Sequence, residues 1–170
     1  MAILVRGMAQ EYSFDAVSDF DHQEMVNAVD QTRREIQTRY DFKGVTAEIT
    51  LDKDQVVLLG ESDMQLTAIL DVLQSKVHRR GIDLKVLDPQ KREPAARGNV
   101  RQVVRLRRGI SDELARSLSK RIRTDHPRVQ ARIQGDQLRV ASKEKDALQA
   151  VIRMLREMDL EVPLQFTNYR

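Results

Sequence analysis

The sequence predicts an α+β fold in which one β-α-β-β-α-β unit occurs twice, each copy a small antiparallel sheet with two helices on one face. Three observations carry this. Val45, Ala47 and Ile49 alternate as Val129, Ala131 and Ile133 do, at an offset of 84. After a turn, Val56 and Leu58 answer Leu138 and Val140, and the helical run 66–73 answers 148–155, now at an offset of 82. Period-2 alternation passing into a 3.6-residue stripe marks a hairpin followed by an amphipathic helix, and its recurrence marks a duplicated unit. Third, DPQKREPAARG at 88–98 holds two prolines and no apolar periodicity, which reads as a connection between the copies.

The elements follow in order. Residues 12–18 read as a strand. Asp21 stands as N-cap of a first helix, with Glu24 at the capping-box position and Phe20 and Met25 placed as a hydrophobic staple. Met25, Val29 and Ile36 form that helix's apolar stripe. Residues 45–51 and 55–60 make a hairpin around Asp52-Lys-Asp54. Ser62 caps a second helix, with Gln65 at the box position and Gly81 as its stop, and 82–87 supplies another strand. The second copy reads as strand 99–107, helix 111–124 capped by Ser111, hairpin 128–141, helix 143–157 and strand 163–169. Pro127 and Pro163 each precede a strand, where a missing amide is tolerated. Split βαβ units in this order build the ferredoxin-like sandwich, with the second sheet face left open. The expected divisions are an extension at 1–10, a first domain at 11–88, a linker at 89–98 and a second domain at 99–170. Met8 is a second candidate start, which would make 1–7 an unstructured extension.

A chain of 170 residues supports two cores of roughly 75–80 residues each, near the lower end for independent folding. With no cysteine, disulfides, thiolate metal sites and cysteine nucleophiles are excluded. No apolar run approaches the roughly 20 residues of a membrane helix, and MAILVRGMAQ lacks the apolar region of a signal peptide, so a cytoplasmic setting is expected. The net charge of +3 divides unevenly. Residues 1–88 hold 10 Lys/Arg against 16 Asp/Glu, and residues 89–170 hold 19 against 10. That split predicts an anion-seeking second half.

Alternation lists the open sheet face of that half. With Val100, Val104 and Leu106 inward, Arg101, Arg105 and Arg107 point out. Arg128, Gln130, Arg132 and Gln134 follow on the next strand, and Gln137 and Arg139 on the third. Six arginines and three glutamines on one sheet suit phosphate oxygens and base edges, since guanidinium pairs bidentately and stacks while amides read hydrogen-bonding groups. The competing readings are a solvated strand face and a docking surface for the acidic first half. Like charges opposite each other cost stability without a ligand or acidic cover, which favours the binding reading.

The matching face of the first half shows Thr46, Glu48, Thr50, Gln55, Val57 and Leu59, with Asp15 or its neighbours alongside, and has no anion-binding character. Val57, Leu59 and Leu87 read as an apolar strip for a partner or the other half, the competing reading being scattered surface aliphatics. Two smaller clusters stand out. Arg39 and Lys43 flank Tyr40 and Phe42 at the exit of the first helix. Arg107-Arg-Gly109 leads into a helix N-terminus, whose first turn Asp112 and Glu113 already occupy. Gln55–Gly60 and Gln137–Ser142 contain no aromatic residue, so base stacking on central strands is not expected. The sequence has no G-x-x-x-x-G-K-[ST], no G-x-G-x-x-G and no nucleophile elbow, and its three histidines lack metal-ligand spacing. These patterns predict no catalysis, no cofactor and no metal.

SFDAVSDFDHQEMVNAVDQTRREIQTRYDFK (13–43), RGISDELARSLSKRIR (108–123), VQARIQGDQLRV (129–140) and LQFTNYR (164–170) resemble the bacterial YajQ family over about Tyr12 to Arg170. The resemblance implies two ferredoxin-like domains with the N-terminal strand exchanged into the far one, pairing 12–18 with 163–169 and gathering Tyr12, Phe14, Phe166 and Tyr169. It also implies a non-enzymatic nucleotide-binding protein, with cyclic di-GMP, GTP or tRNA as ligand. Arg132 to Arg139 lie inside a matched segment and receive the binding role first. The expected site is Arg101, Arg105, Gln130, Arg132, Gln134 and Arg139, with Arg39 and Lys43. The expected function is a cyclic di-GMP effector acting through a protein or DNA partner, as a monomer or weak homodimer. The alternatives are a tRNA-binding protein using the same basic sheet, and a scaffold that associates acidic domain to basic domain.

Overall fold

The computed structural model describes residues 11–170; the extension expected at 1–10 lies outside the described residues. The elements are β1 (Tyr12–Val17), α1 (His22–Thr38), β2 (Ala47–Asp52), β3 (Gln55–Gly60), α2 (Asp63–Arg79), β4 (Leu87–Pro89), β5 (Glu93–Pro94), β6 (Val100–Leu106), α3 (Asp112–Asp125), β7 (Gln130–Gln134), β8 (Gln137–Ser142), α4 (Lys145–Glu157) and β9 (Gln165–Thr167). They form two antiparallel sheets in a ferredoxin-like α+β architecture.

The helices begin where the caps predict. Asp21 accepts hydrogen bonds from the amides of Gln23 and Glu24, Ser62 from that of Gln65, and Ser111 from that of Leu114. Each satisfies a donor that the first helical turn leaves orphaned. The inward stripes close two separate cores. Met25, Val29 and Ile36 pack with Val56, Leu58, Leu66 and Leu73 in one; Leu118, Ile122, Leu138, Val140 and Val151 pack in the other.

The strands assort differently from the order of the sequence. One sheet runs β2-β3-β6-β4, with β5 also on β6; the other runs β7-β8-β1-β9. The first strand of each repeat completes the sheet of the other repeat. β1 pairs with β8, Phe14 opposite Val140, and with β9, Ala16 opposite Phe166. β6 pairs with β3, Val104 opposite Val56. The exchange expected for 12–18 therefore has a reciprocal partner that the sequence did not disclose.

This corrects the expected divisions. The compact units are residues 20–107 (the N-terminal unit) and residues 11–19 with 108–170 (the C-terminal unit). The stretch 89–98 is not a free linker, because β5 and Arg92 tie it down. Arg92 donates to Gln102 Oε1 at 3.2 Å, to the Asp63 carbonyl at 2.9 Å and to Thr67 Oγ1 at 2.8 Å, all within the N-terminal unit. Residues 82–87, expected as a strand, begin with a 3-10 turn at Leu84–Val86, and pairing starts at Leu87.

The charge asymmetry goes with the old divisions. The exchange carries Glu11, Asp15 and Asp19 into the C-terminal unit and leaves Arg101, Arg105 and Arg107 in the N-terminal one. The N-terminal unit holds 15 Lys/Arg against 14 Asp/Glu, and the C-terminal unit 13 against 12. Neither unit is an acidic or basic body. Among the described residues no helix is long and apolar enough to cross a membrane.

Candidate functional site

Six arginines do not share one face. Arg101 and Arg105 lie on the outer face of the N-terminal unit's sheet, where Arg101 pairs with Glu93 at 3.1 Å. Arg107 is in the same unit and pairs with Asp88 at 3.1 Å. Arg128, Arg132 and Arg139 belong to the C-terminal unit. There Arg128 pairs with Glu144 at 2.6 Å.

What the structure assembles instead is the outer face of β7-β8-β1-β9. The inner positions Phe14, Ala16, Leu138 and Val140 are fully buried. The alternate positions form cross-strand rows: Gln130–Ala141–Ser13, then Arg132–Arg139–Asp15–Thr167, then Gln134–Gln137. Arg139 lies at the centre. One of its Nη atoms is 3.4 Å from Asp15 Oδ1, and the other donates to Ser13 Oγ at 3.3 Å. Asn168 Nδ2 donates to Asp15 Oδ2 at 2.9 Å from a left-handed backbone (φ 55°), a conformation asparagine tolerates better than most residues. The Asp15 carboxylate is thereby held at both oxygens. Beyond Asn168 the chain returns to β1, where Ser13 and Arg170 exchange backbone hydrogen bonds of 3.1 and 3.0 Å.

Arg132, directly across from Arg139, is exposed and has no ion pair among the described residues. Gln130, Gln134 and Gln137 are exposed beside it. At the Gln130 end the face runs into a shallow depression of about 240 Å³ lined by Glu11, Arg128, Gln130, Ala141, Ser142, Lys143 and Glu144. Lys143 is exposed there and also lacks an ion pair among the described residues. The face thus offers two free cations, three side-chain amides and a hydroxyl around a balanced Arg–Asp pair. No aromatic side chain stands in the paired outer positions of β7, β8 and β1, as expected.

Arg39 and Lys43 are elsewhere, in the N-terminal unit. Arg39 grips Asp41 through Nε at 3.0 Å and Nη2 at 2.7 Å, and its guanidinium lies 5.2 Å from the Phe42 ring centre. The hydrogen bond from Arg39 holds the Asp41 carboxyl below the usual carboxylate range, and Asp41 reciprocally raises the guanidinium. Lys43 Nζ sits 5.9 Å from the Tyr40 ring centre. Their cationic groups are engaged locally, and the structure does not join them to Arg132. Of the expected site, Gln130, Arg132, Gln134 and Arg139 come together; Arg101, Arg105, Arg39 and Lys43 do not. Asn168, Ser13 and Lys143 were missed, and Asp15, expected beside the first half's face, stands opposite Arg139 instead. The one signal for Asp15 was a carboxylate interrupting a strongly apolar strand.

A family described as "Nucleotide-binding protein YajQ-like" matches residues 12–170. The chain belongs to this family. A relative from Chloroflexus aurantiacus, called "Nucleotide-binding protein", is 58% identical over 165 residues, covering 96% of this chain and all of the relative. Relatives with the same description in Synechococcus sp. (strain JA-3-3Ab) and Roseiflexus sp. (strain RS-1) are 52% and 50% identical, each again covering 96% of this chain and all of the relative. The YajQ resemblance read from the four sequence stretches is therefore correct, and the match includes both β1 and β9 of the outer face.

Proposed function

We propose that the chain binds a small nucleotide on the outer face of its C-terminal sheet, as a binding protein of the cytoplasm and not as an enzyme. The observation that carries this is Arg132: an exposed guanidinium with no ion pair among the described residues, set amid side-chain amides. Guanidinium matches phosphate oxygens bidentately. Gln130, Gln134 and Gln137 offer both donors and acceptors to a base edge. Arg139 is already balanced by Asp15, so its part is to hold the row in register and not to supply net charge. The cross-strand rows carry one carboxylate, Asp15, held at both oxygens. Glu11 and Glu144 line the adjoining depression, and among the described residues the face shows no nucleophile–base pair of the kind catalysis requires. The relatives' printed description, nucleotide-binding, supports the reading.

Two free cations, Arg132 and Lys143, suit the two phosphates of a cyclic dinucleotide, and cyclic di-GMP is the ligand we favour, its occupancy being passed to a protein or DNA partner. The tRNA reading loses its main support, because the six-arginine surface it relied on is divided between two sheets. Titration of the protein with cyclic di-GMP, GTP and bulk tRNA at two ionic strengths tests this. Cyclic di-GMP should bind with a shallow salt dependence, and Arg132→Glu should weaken it at least tenfold. Binding unchanged by Arg132→Glu would refute the site. A log–log salt slope with tRNA of several units, near −0.7 per phosphate neutralised, would return the function to RNA.

A further inference from the structure

The outer face of the N-terminal unit's sheet has a pattern that the proposed nucleotide site leaves unused. Across β2, β3 and β6 it forms three rows: Glu48–Leu59–Arg101, Thr50–Val57–Val103 and Asp52–Gln55–Arg105. Val56, Leu58 and Val104, which alternate with these positions, are fully buried, so the rows face away from the helices. The acids stand on β2, the bases on β6, and partly exposed aliphatics lie between. Beyond β6, Glu93 and Asp88 continue the first and third rows, paired with Arg101 and Arg107. Glu48, Asp52 and Arg105 have no ion pair among the described residues. Arg101 is paired with Glu93, but both are well exposed, and such surface pairs contribute little. An apolar centre with a charged rim is the anatomy of a protein interface.

We infer that this face binds a second copy of the same chain, sheet against sheet, about a two-fold axis parallel to β3. The symmetry follows from the rows. A half-turn about an axis lying along β3 in the contact plane keeps each row in register and exchanges left for right. It lays β2 of one copy over β6 of the other, so Glu48 and Asp52 meet Arg101 and Arg105 of the second copy, twice over. Val57 and Leu59 lie near the axis and meet their own counterparts. Such an isologous contact is self-complementary in charge and shape, and aligned sheets pack face to face about 10 Å apart. A two-fold axis across the strands would instead set acid over acid and base over base. The face is small: three strands at about 4.8 Å spacing and five residues' length give roughly 15 by 15 Å, well under the roughly 800 Å² per partner of a stable complex. The dimer is therefore weak, forming in about the 10–500 µM range.

Sedimentation velocity and small-angle scattering from about 10 µM to about 1 mM, at low and high salt, read the association. Dimer is expected at the upper end and less of it at high salt, since rim charges are screened. Leu59→Arg should abolish it. Asp52→Arg should weaken it at least tenfold, and adding Arg105→Asp to the same chain should restore it to within about threefold, because each reversed charge then meets its reversed partner. Because the chain contains no cysteine, Val57→Cys gives a clean geometric test. A short bis-maleimide, which can span the gap between facing sheets that is too wide for a disulfide, should link it between copies, whereas Glu113→Cys should not be linked. Circular dichroism checks that each variant is folded; if Leu59→Arg is not, the charge-reversal pair and the cross-link decide. Monomer at every concentration, a dimer indifferent to these changes, or equal cross-linking at 57 and 113 would overturn the inference.

Discussion

Arg139 and Asp15 lie opposite each other on β8 and β1, 124 residues apart in sequence, with a guanidinium nitrogen 3.4 Å from a carboxylate oxygen. The pair shows why the first strands trade places. The 82-residue offset makes Val57 the counterpart of Arg139. Without exchange, β6 would set Val103 opposite Arg139 and place Arg101 and Arg105 two residues to either side, on a face that already carries Arg132. Like charges so placed repel. The exchange puts Asp15 there instead, and moves Arg101 near Glu93.

Removing the carboxylate should expose that repulsion. Asp15→Asn is expected to destabilise the protein by about 1–3 kcal/mol, less than the loss of a fully buried pair because the Arg139 side chain keeps some solvent contact. Urea denaturation measures it. Combined with Arg139→Gln, the cost should be smaller than the sum, giving a coupling of about 1 kcal/mol. Strict additivity would mean that the two groups do not interact.

The exchange itself predicts which unit loosens when a first strand is damaged. Phe14 is fully buried and packs edge-to-face on Phe166 at 5.7 Å between ring centres. Phe14→Ala should cost about 3–5 kcal/mol. Amide exchange should accelerate in residues 130–142, which pair in that sheet, and leave 47–60 protected. Val104→Ala should do the reverse. Loosening of 47–60 by Phe14→Ala would contradict the strand assignment.

Gly109 has φ +84°, and a Cβ there would sit 2.7 Å from Asp136 Oδ2. Its amide donates to the Ser18 carbonyl at 2.6 Å, and the next amide, of Ile110, to the Asp136 carbonyl at 2.9 Å, joining β1's exit to the β7–β8 turn. Gly109→Ala combines a left-handed backbone with a steric clash and should lower stability by about 1–3 kcal/mol. Thermal unfolding checks it. Gly44→Ala is the comparison, since φ is again positive but nothing lies within 4 Å, and its cost should be smaller.

The Arg39–Asp41 clasp makes a pH prediction. The Asp41 carboxyl is held down first by its hydrogen bond from Arg39. Because its folded-state value is depressed, its stabilising contribution is present above the unfolded value of about 3.9 and is lost as pH falls through the folded one. Carboxyl-carbon NMR should place the Asp41 midpoint below that of an unpaired aspartate. Arg39→Gln should move it upward. An unmoved midpoint would show that the clasp does not persist in solution.

Much of this architecture was readable beforehand, for local reasons. Asp21, Ser62 and Ser111 mark helix starts because a short oxygen-bearing side chain can reach the orphaned amides of the next turn. Val56 and Leu58, like Leu138 and Val140, are inside because alternation leaves them no other face. The outward direction of Gln130, Arg132, Gln134 and Arg139 followed from the same rule. Misjudged was the company they keep. Arg101 and Arg105 also point outward, but from another sheet, and Arg139's charge is taken by a residue at the opposite end of the chain.

By itself the sequence settled the four helices and most of the strands, where three of the helices start, which side of most elements faces a core, and that one unit is built twice. Tertiary structure decided which strand completes which sheet, and with it the charge of each unit and the membership of the candidate face. The physical reason is that β1 and β6 share the same period-2 alternation, with Phe14 and Ala16 inward in one and Val104 and Leu106 in the other. The register does set Gln102, buried and bonded to Arg92 and the Gln90 carbonyl, where β1 has Phe14. Alternation therefore does not separate the two pairings. Cross-strand neighbours such as Asp15 and Arg139 discriminate between them, and such neighbours exist only once the chain has folded.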